Sequence, residues 1–438
     1  MPQNRAATNA LGELLPPLTA NEASVEAARC LMCYDAPCTQ ACPTHIDIPK
    51  FIKKIATHNL RGSARAILES NLLGATCARV CPVQELCEGA CVLGAERKPI
   101  AIGRLQRHAM DYAYGNGVAL FRPAQVTGKT VAVIGAGPAG LSCAGELARR
   151  GHRVTLFEKR DLAGGLSTYG IIGLREPVDI ALAEVEMLKK LGMKIETGKE
   201  LGVNLSLSDL QANFDAVFLS VGLGVTTTLG IPGEEYIVDG LEYIERSKLD
   251  VRNLVIGRAV VVIGAGNTAI DCATIAKRLG AKHVTMVYRR SEKEMTAYAH
   301  EYEFIKREGV GFAFLTQPVR VHVEDGLVQS LECVRMSLGP ADASGRPSPQ
   351  PIAGSEFLLP AEQIVKATGQ EKPQLACLLK LKTNKGFIEV SEAFETSLAG
   401  VYAGGDCIRA RGAASTVMAV QDGKLGAHSI HERLVGHG

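Results

Sequence analysis

The chain has 438 residues, 46% hydrophobic and 21% charged, and its 48 Lys and Arg against 46 Asp and Glu leave a formal net charge of +2. That balance fits a globular protein of roughly two to four domains; it excludes a disordered chain and argues against nucleic-acid binding by phosphate neutralisation. No apolar run reaches the ~18 residues of a membrane span, and the N-terminus lacks the basic start and apolar stretch of a secretory signal, so a cytoplasmic protein without membrane association is expected.

Residues 1–125 read as short helices. Asp47 is placed to cap a helix with Pro49 in its first turn, and Phe51, Ile52 and Ile55 then recur at helical spacing. Ser63 is expected to start a second helix that Gly74 stops, and Ile100 to about Tyr114 forms an amphipathic third, ended by Gly115 and Gly117. The segment Gly115–Gly128, with Pro123, reads as a linker.

Eight of the 13 cysteines fall in this helical region, in two quartets: Cys30-x2-Cys33-x4-Cys38-x3-Cys42-Pro43 and Cys77-x3-Cys81-Pro82-x4-Cys87-x3-Cys91. In a reducing compartment such clustering means metal rather than disulfides. The spacing is similar to the cysteine run of bacterial ferredoxins, where the fourth cysteine crosses to the other cluster, but the central spacer of four sets it apart. Tetrahedral zinc is the competing reading. Cys143, Cys272, Cys333, Cys377 and Cys407 are scattered, and no two of them form a redox pair.

From Thr130 the texture changes. Val131–Ile134 is a short apolar strand leading into Gly135-Ala-Gly137-Pro-Ala-Gly140, a helix from Leu141 to Arg150, and a second strand, Val154–Phe157, ending at Glu158. This is a dinucleotide-binding βαβ unit: two glycines permit the tight turn and the approach of a pyrophosphate, the third lets the helix pack, and the acid accepts from a ribose hydroxyl. The unit recurs 129 residues later, with Val260–Ile263, Gly264-Ala-Gly266-Asn267-Thr268-Ala269 and the strand Val284–Val287. Cys143 and Cys272 hold equivalent helix positions and read as small packing residues. The residue matching Glu158 is Tyr288, followed by Arg289 and Arg290, a pair expected to clamp a 2′-phosphate and so admit NADPH alongside NADH.

Gly164-Gly165, Ala367-Thr368-Gly369 and Val401-Tyr-Ala-Gly-Gly-Asp406, with an apolar helix from Ser415 through His428, resemble elements of the glutathione-reductase-like flavoproteins. That resemblance implies FAD in the first unit, with Gly165 near it and Asp406 on the ribityl chain, and NAD(H) or NADP(H) in the second, inserted unit. The segments ARCLMCYDAPCTQACPTHIDIPKFI, GATCARVCPVQELCEGAC, PIAIGRLQRHAMD and GGLSTYGI resemble the family of glutamate synthase small subunits and dihydropyrimidine dehydrogenase FAD/iron–sulfur chains. It implies two 4Fe-4S clusters, one on Cys30, Cys33, Cys38 and Cys91 and the other on Cys42, Cys81, Cys87 and Gln106, with Cys77 a spare thiol; spacing alone favours Cys77 over Gln106. The loop Gly170–Pro177 departs from the family pattern. His428 and His431 read as surface or packing residues, and no residue is singled out as catalytic.

The expected fold class is α/β: glutathione-reductase-like FAD and NAD(P) domains behind an all-α helical-ferredoxin domain. The expected boundaries are 1–125 for the clusters, 126–225 and 366–438 for FAD, and 226–365 for the nicotinamide nucleotide. The expected function is electron input for dihydropyrimidine dehydrogenase, in a heterotetramer with an FMN/iron–sulfur, PreA-like partner that reduces uracil or thymine. The alternatives are a glutamate synthase small subunit, a ferredoxin–NAD(P)H transhydrogenase subunit, and a non-catalytic redox sensor.

Overall fold

The computed structural model describes residues 12–118, 121, 124–342, 345–409 and 414–436. Part of the expected linker, including Pro123, lies outside them. The described chain divides into two compact units: one comprises 14–168, 175–224 and 372–436; the other comprises Val225–Glu371 with Tyr169–Leu174 and residues 12–13.

The first unit begins with helices α1 (Ala20–Ala28), α2 (Pro37–Gln40), α3 (Ile48–Ala56), α4 (Leu60–Leu68), α5 (Gly74–Val80) and α6 (Ile102–Gly115). Asp47 caps α3 as expected, accepting from Lys50 N at 3.1 Å. Two expectations fail beside it. Helix α4 starts at Leu60, capped by Asn59, because Ser63 is buried and donates to Phe51 O at 2.9 Å rather than serving as a cap. Gly74 opens α5 instead of stopping α4, which ends at Leu68. Phe51, Ile52, Ile67, Leu68, Leu105 and Met110 are fully buried together, each contributing about 1.5–3 kcal/mol of transfer free energy.

The same unit continues through β1 (Thr130–Ile134), α7 (Pro138–Arg149), β2 (Arg153–Phe157), α8 (Val178–Lys189), β3 (Lys194–Glu196) and β4 (Ala216–Leu219). Helix α7 starts three residues before the expected Leu141, because Pro138 suits the first helical turn.

The second unit holds β5 (Val238–Asp239), α9 (Gly240–Leu249), β6 (Ala259–Ile263), α10 (Asn267–Arg278), β7 (His283–Val287), α11 (Ala299–Arg307) and β8 (Gly311–Ala313). An antiparallel sheet of β9 (Thr316–Glu324), β10 (Leu327–Ala341), β11 (Pro347–Pro351) and β12 (Phe357–Pro360) follows, a feature absent from the sequence reading, and then β13 (Gln363–Lys366). The chain passages at its ends pair: Glu371 N donates to Val225 O at 2.8 Å and Thr227 N to Gly369 O at 3.0 Å.

Back in the first unit lie the hairpin β14–β15 (Thr383–Asn384, Phe387–Ile388), β16 (Val401–Ala403) and helix α12 (Thr416–Val435). Helix α12 runs seven residues beyond the expected His428, its far end held by buried Ile430. The two parallel sheets have matching orders, β16-β4-β1-β2-β3 and β5-β13-β6-β7-β8. In each, the glycine turn leaves the central strand, which places it at the C-terminal edge where such sheets bind nucleotides.

Candidate functional site

The cysteines of the helical region line two cavities. Cys30, Cys33, Cys38 and Cys91 border the first, and every other side chain around it is apolar. Cys42, Cys77, Cys81, Cys87 and Gln106 border the second, with Asn71. Each cavity therefore draws on both quartets. Ile48 borders both cavities, and Val417, in the first turn of α12, borders the second.

Gln106 reaches its cavity from α6. A Cβ at Gly103 would meet Val83 Cγ1 at 3.1 Å, so α6 packs tightly against the Cys81–Cys87 turn at this glycine. Gln106 is three residues on, on the same face. Its Nε2 donates to Gly74 O at 2.7 Å, which leaves Oε1 as the donor atom for a metal. Helix α5, which carries Cys77 and leads into Cys81, is held by Glu184 of α8, which accepts from Ala75 N at 2.7 Å and Thr76 N at 3.2 Å. Burial, opposed by the Thr76 hydrogen bond and reinforced by the Glu176 charge, pushes the Glu184 carboxyl up to about 7.

Burial raises the thiols themselves. It pushes Cys38 up to about 11 and moves Cys30 and Cys87 upward; a hydrogen bond with Cys77, then burial, raises Cys81. Buried thiols of this kind become thiolates when a metal supplies the compensating charge. Among the described residues, no three His, Cys, Asp or Glu side chains converge closely enough for one metal ion. Thiols ringing a cavity suit a multi-iron cluster better than zinc, whose four ligands must all approach to about 2.3 Å.

At the first dinucleotide turn the three glycines have distinct surroundings. Gly135 has φ +97°, and a Cβ there would meet Ser220 O at 2.4 Å. A Cβ at Gly140 would lie 1.9 Å from Gly135 O, so α7 packs against the turn only with glycine. At Gly137 a Cβ would meet nothing nearer than Gly165 Cα at 4.0 Å. That is the open cradle a pyrophosphate needs, at the N-terminus of α7. Gly164 and Gly165 both have positive φ, and a Cβ on Gly165 would sit 2.6 Å from Gly137 Cα. Glu158 is buried and accepts from Ala136 N at 2.8 Å and Arg160 N at 2.9 Å.

Across the sheet, Asp406 follows Gly405, whose φ is +81°. Burial raises its carboxyl, Arg409 opposes this, and the Asp422 charge adds to it. Asp422, buried in α12 and overlooked in the sequence, pairs with Arg409 and accepts from Gly405 N at 3.1 Å. Its only signal was an acid among the apolar residues of the expected Ser415–His428 helix. Gly423 beside it lets α12 cross α7: a Cβ there would meet Ala139 O at 2.1 Å. Cys143 and Cys272 are fully buried in the predicted packing role.

In the second unit Gly264 has φ +135°, and Gly266 precedes α10. Asn267 and Thr268 are half-buried, and Asn267 Oδ1 accepts from Tyr298 N at 3.1 Å, so this asparagine also clasps the following loop. The expected arginine pair does not form. Arg290 turns inward, is 3% exposed, and donates to Pro347 O at 2.9 Å and Asp342 Oδ2 at 2.5 Å; Arg289 alone is exposed. Both lie in the bend after β7, and with its guanidinium held by Asp342 and the Pro347 carbonyl Arg290 is not available to share a phosphate with Arg289.

Two matched parallel sheets with glycine turns, behind a helical domain with thiol-lined cavities, define an NAD(P)H-dependent flavin and iron–sulfur oxidoreductase. The family described as dihydropyrimidine dehydrogenase domain II, 4Fe-4S cluster, matches residues 7–118, and the pyridine nucleotide-disulphide oxidoreductase family matches residues 129–423. The chain belongs to the latter family, in the branch with an N-terminal 4Fe-4S domain, and its cofactors are FAD, 4Fe-4S and a nicotinamide nucleotide.

The chain is 34% identical to the NAD-dependent dihydropyrimidine dehydrogenase subunit PreT of Escherichia coli (strain K12), covering 100% of this chain and 99% of that one. It is 34% identical to the glutamate synthase [NADPH] small chain of the same organism, covering 95% and 93%. It is 38% identical to the NADP(+)-dependent formate dehydrogenase subunit beta of Moorella thermoacetica, covering 91% of this chain but only 60% of that relative. Thioredoxin reductase of Lactococcus lactis shares the fold, with a TM-score of 0.55 at 21% identity over 70% of this chain and all of that one. No helix among the described residues is long and apolar enough to cross a membrane.

Proposed function

We propose that this chain is the electron-input subunit of a dihydropyrimidine dehydrogenase, delivering electrons from NAD(P)H to a partner subunit that reduces uracil or thymine to the 5,6-dihydro base. The carrying observation is the end-to-end match to PreT. Bound FAD supplies hydride acceptance, and bound 4Fe-4S clusters supply one-electron carriage.

The chain's own residues supply the positioning. Residues 126–225 and 366–438 hold FAD, with the backbone at Gly135, Gly137 and Gly140 against its pyrophosphate, and with Gly165, Glu158 and Asp406 beside it. Residues 226–365 hold the nicotinamide nucleotide at Gly264, Gly266, Asn267 and Thr268, with Arg289 outside. Residues 1–125 hold two clusters, one on Cys30, Cys33, Cys38 and Cys91, the other on Cys42, Cys81, Cys87 and Gln106. The lining supports a relay order: Val417 ties the second cavity to the Asp406–α12 region, and Ile48 separates it from the first. The thirteen cysteines are all unpaired, as a cytoplasmic location would keep them.

The glutamate synthase small chain is the second reading, favoured by its equal identity. Anaerobic analysis should find about eight irons and eight acid-labile sulfides per chain, and zinc in their place would refute the cluster assignment. Copurification with the product of the neighbouring gene, followed by assays of uracil reduction and of glutamate synthesis, separates the two readings. Uracil-dependent NAD(P)H oxidation is expected; glutamate formation alone would overturn the proposal.

A further inference from the structure

Asn71 lies between α4 and α5 and borders the second cavity together with Cys42, Cys81, Cys87 and Gln106. It is 1% exposed. Its Oδ1 accepts from Leu73 N at 2.9 Å, which fixes the amide's orientation, since exchanging oxygen and nitrogen would set two N–H donors against each other. Its Nδ2 is buried and has no hydrogen-bond partner among the described residues. A buried donor without an acceptor is destabilising, so such a group in a native fold calls for an acceptor that the protein alone does not provide. Thr44 Oγ1, 3.4 Å from Cys42 Sγ, adds a second polar group at the edge of this site. Around the first cavity the side chains other than cysteine are all apolar.

We propose that the Asn71 amide donates an N–H···S hydrogen bond to the iron–sulfur group of the second cavity and raises that cluster's reduction potential above what its ligands alone would give. A thiolate or sulfide is the anionic acceptor such a donor fits. A hydrogen bond to it strengthens as the cluster gains an electron, so the reduced state is stabilised more than the oxidised one. The inference rests on the second-cavity ligand assignment above. Asn71 is a tuning residue here, not a ligand.

The experiment uses the anaerobically purified full chain with its cofactors, and the variants Asn71→Asp and Asn71→Leu. Asn71→Asp keeps the oxygen that accepts from Leu73 N and removes the N–H. After exchange into D2O, electron–nuclear double resonance on the reduced wild type should show an exchangeable deuteron coupled to one cluster that disappears in Asn71→Asp. In an EPR-monitored redox titration the midpoint of that cluster should fall in both variants, with the other cluster unmoved and the iron content full. A coupling unchanged in Asn71→Asp, or a midpoint unmoved in the variants, would reduce Asn71 to a backbone cap and overturn the proposal. If Asn71→Leu does not fold, the Asp variant decides alone, and by the deuteron coupling, because added charge can move a midpoint but cannot remove that coupling selectively. Wild-type protein with about four irons and a single cluster signal would instead refute the second-site assignment, before any variant is read.

Discussion

Arg289 and Arg290 are adjacent in sequence, yet one faces solvent and the other is buried and pairs with Asp342, so their substitutions should separate cleanly. Arg290→Ala removes the hydrogen bonds to Asp342 and the Pro347 carbonyl and should cost about 1–3 kcal/mol of stability, read as a lower Tm, with the NADPH to NADH ratio of KM unchanged. Arg289→Ala should leave Tm alone and raise KM for NADPH about tenfold relative to NADH, the loss of one charged hydrogen bond. An unchanged KM ratio in steady-state kinetics would remove Arg289 from the phosphate site. His152 and His431 pair through Nε2 and Nδ1 at 2.8 Å, an arrangement that needs at least one of the facing nitrogens to lack a proton. Burial, then the neighbouring His431, lowers His152 to about 4, against 6.5 when unfolded. A lowered histidine contributes stability above pH 6.5 that is lost as pH falls towards 4. Wild-type Tm should therefore drop between pH 7 and pH 5, and His152→Leu should show a shallower drop over the same interval.

The glycine turn between β1 and α7 makes a sharper test of ligand binding than its sequence pattern can. Gly140→Ala places a Cβ against Gly135 O, and Gly423→Ala places one against Ala139 O, so both should lower the stability of the apoprotein as well as its flavin content. Gly137→Ala meets open space, so the apoprotein should keep its Tm while FAD occupancy after purification falls several-fold. Equal flavin content in wild type and Gly137→Ala would show that no pyrophosphate approaches that backbone. The strands of this element were legible because each is local: apolar run, glycine, helix, strand. The start of α4 was not, since Ser63 looks like a cap in sequence and only its burial against Phe51 O shows otherwise.

Taken whole, the described chain accounts for two dinucleotide domains and a cluster domain, with no further fold large enough to house a second flavin beside a pyrimidine. Alone, it should oxidise NAD(P)H with a dye as acceptor but form no dihydrouracil. Anaerobic incubation of the isolated chain with NADPH or NADH and uracil checks this, and product without a partner would move the substrate site into this chain. The dye reaction should survive oxidative loss of the clusters, since the glycine turn proposed for the flavin is carried by different elements from the eight clustered cysteines.

Motifs whose chemistry is local were readable without coordinates. The glycine turns were legible from their spacing between strand and helix, and the cysteine quartets carry their spacing in the chain itself. What lay beyond the sequence were contacts between residues far apart in it. Spacing alone favoured Cys77 over Gln106, whereas the fold brings both to one cavity, with the Gln106 amide oriented by Gly74 O. Nothing in the sequence linked Asp422 to Arg409, Glu184 to the start of α5, or Asn71 to the second cavity. Nor could it tell Arg289 from Arg290. Those pairings depend on which side chains burial removes from water, and desolvation is decided by the assembled core rather than by neighbours along the chain.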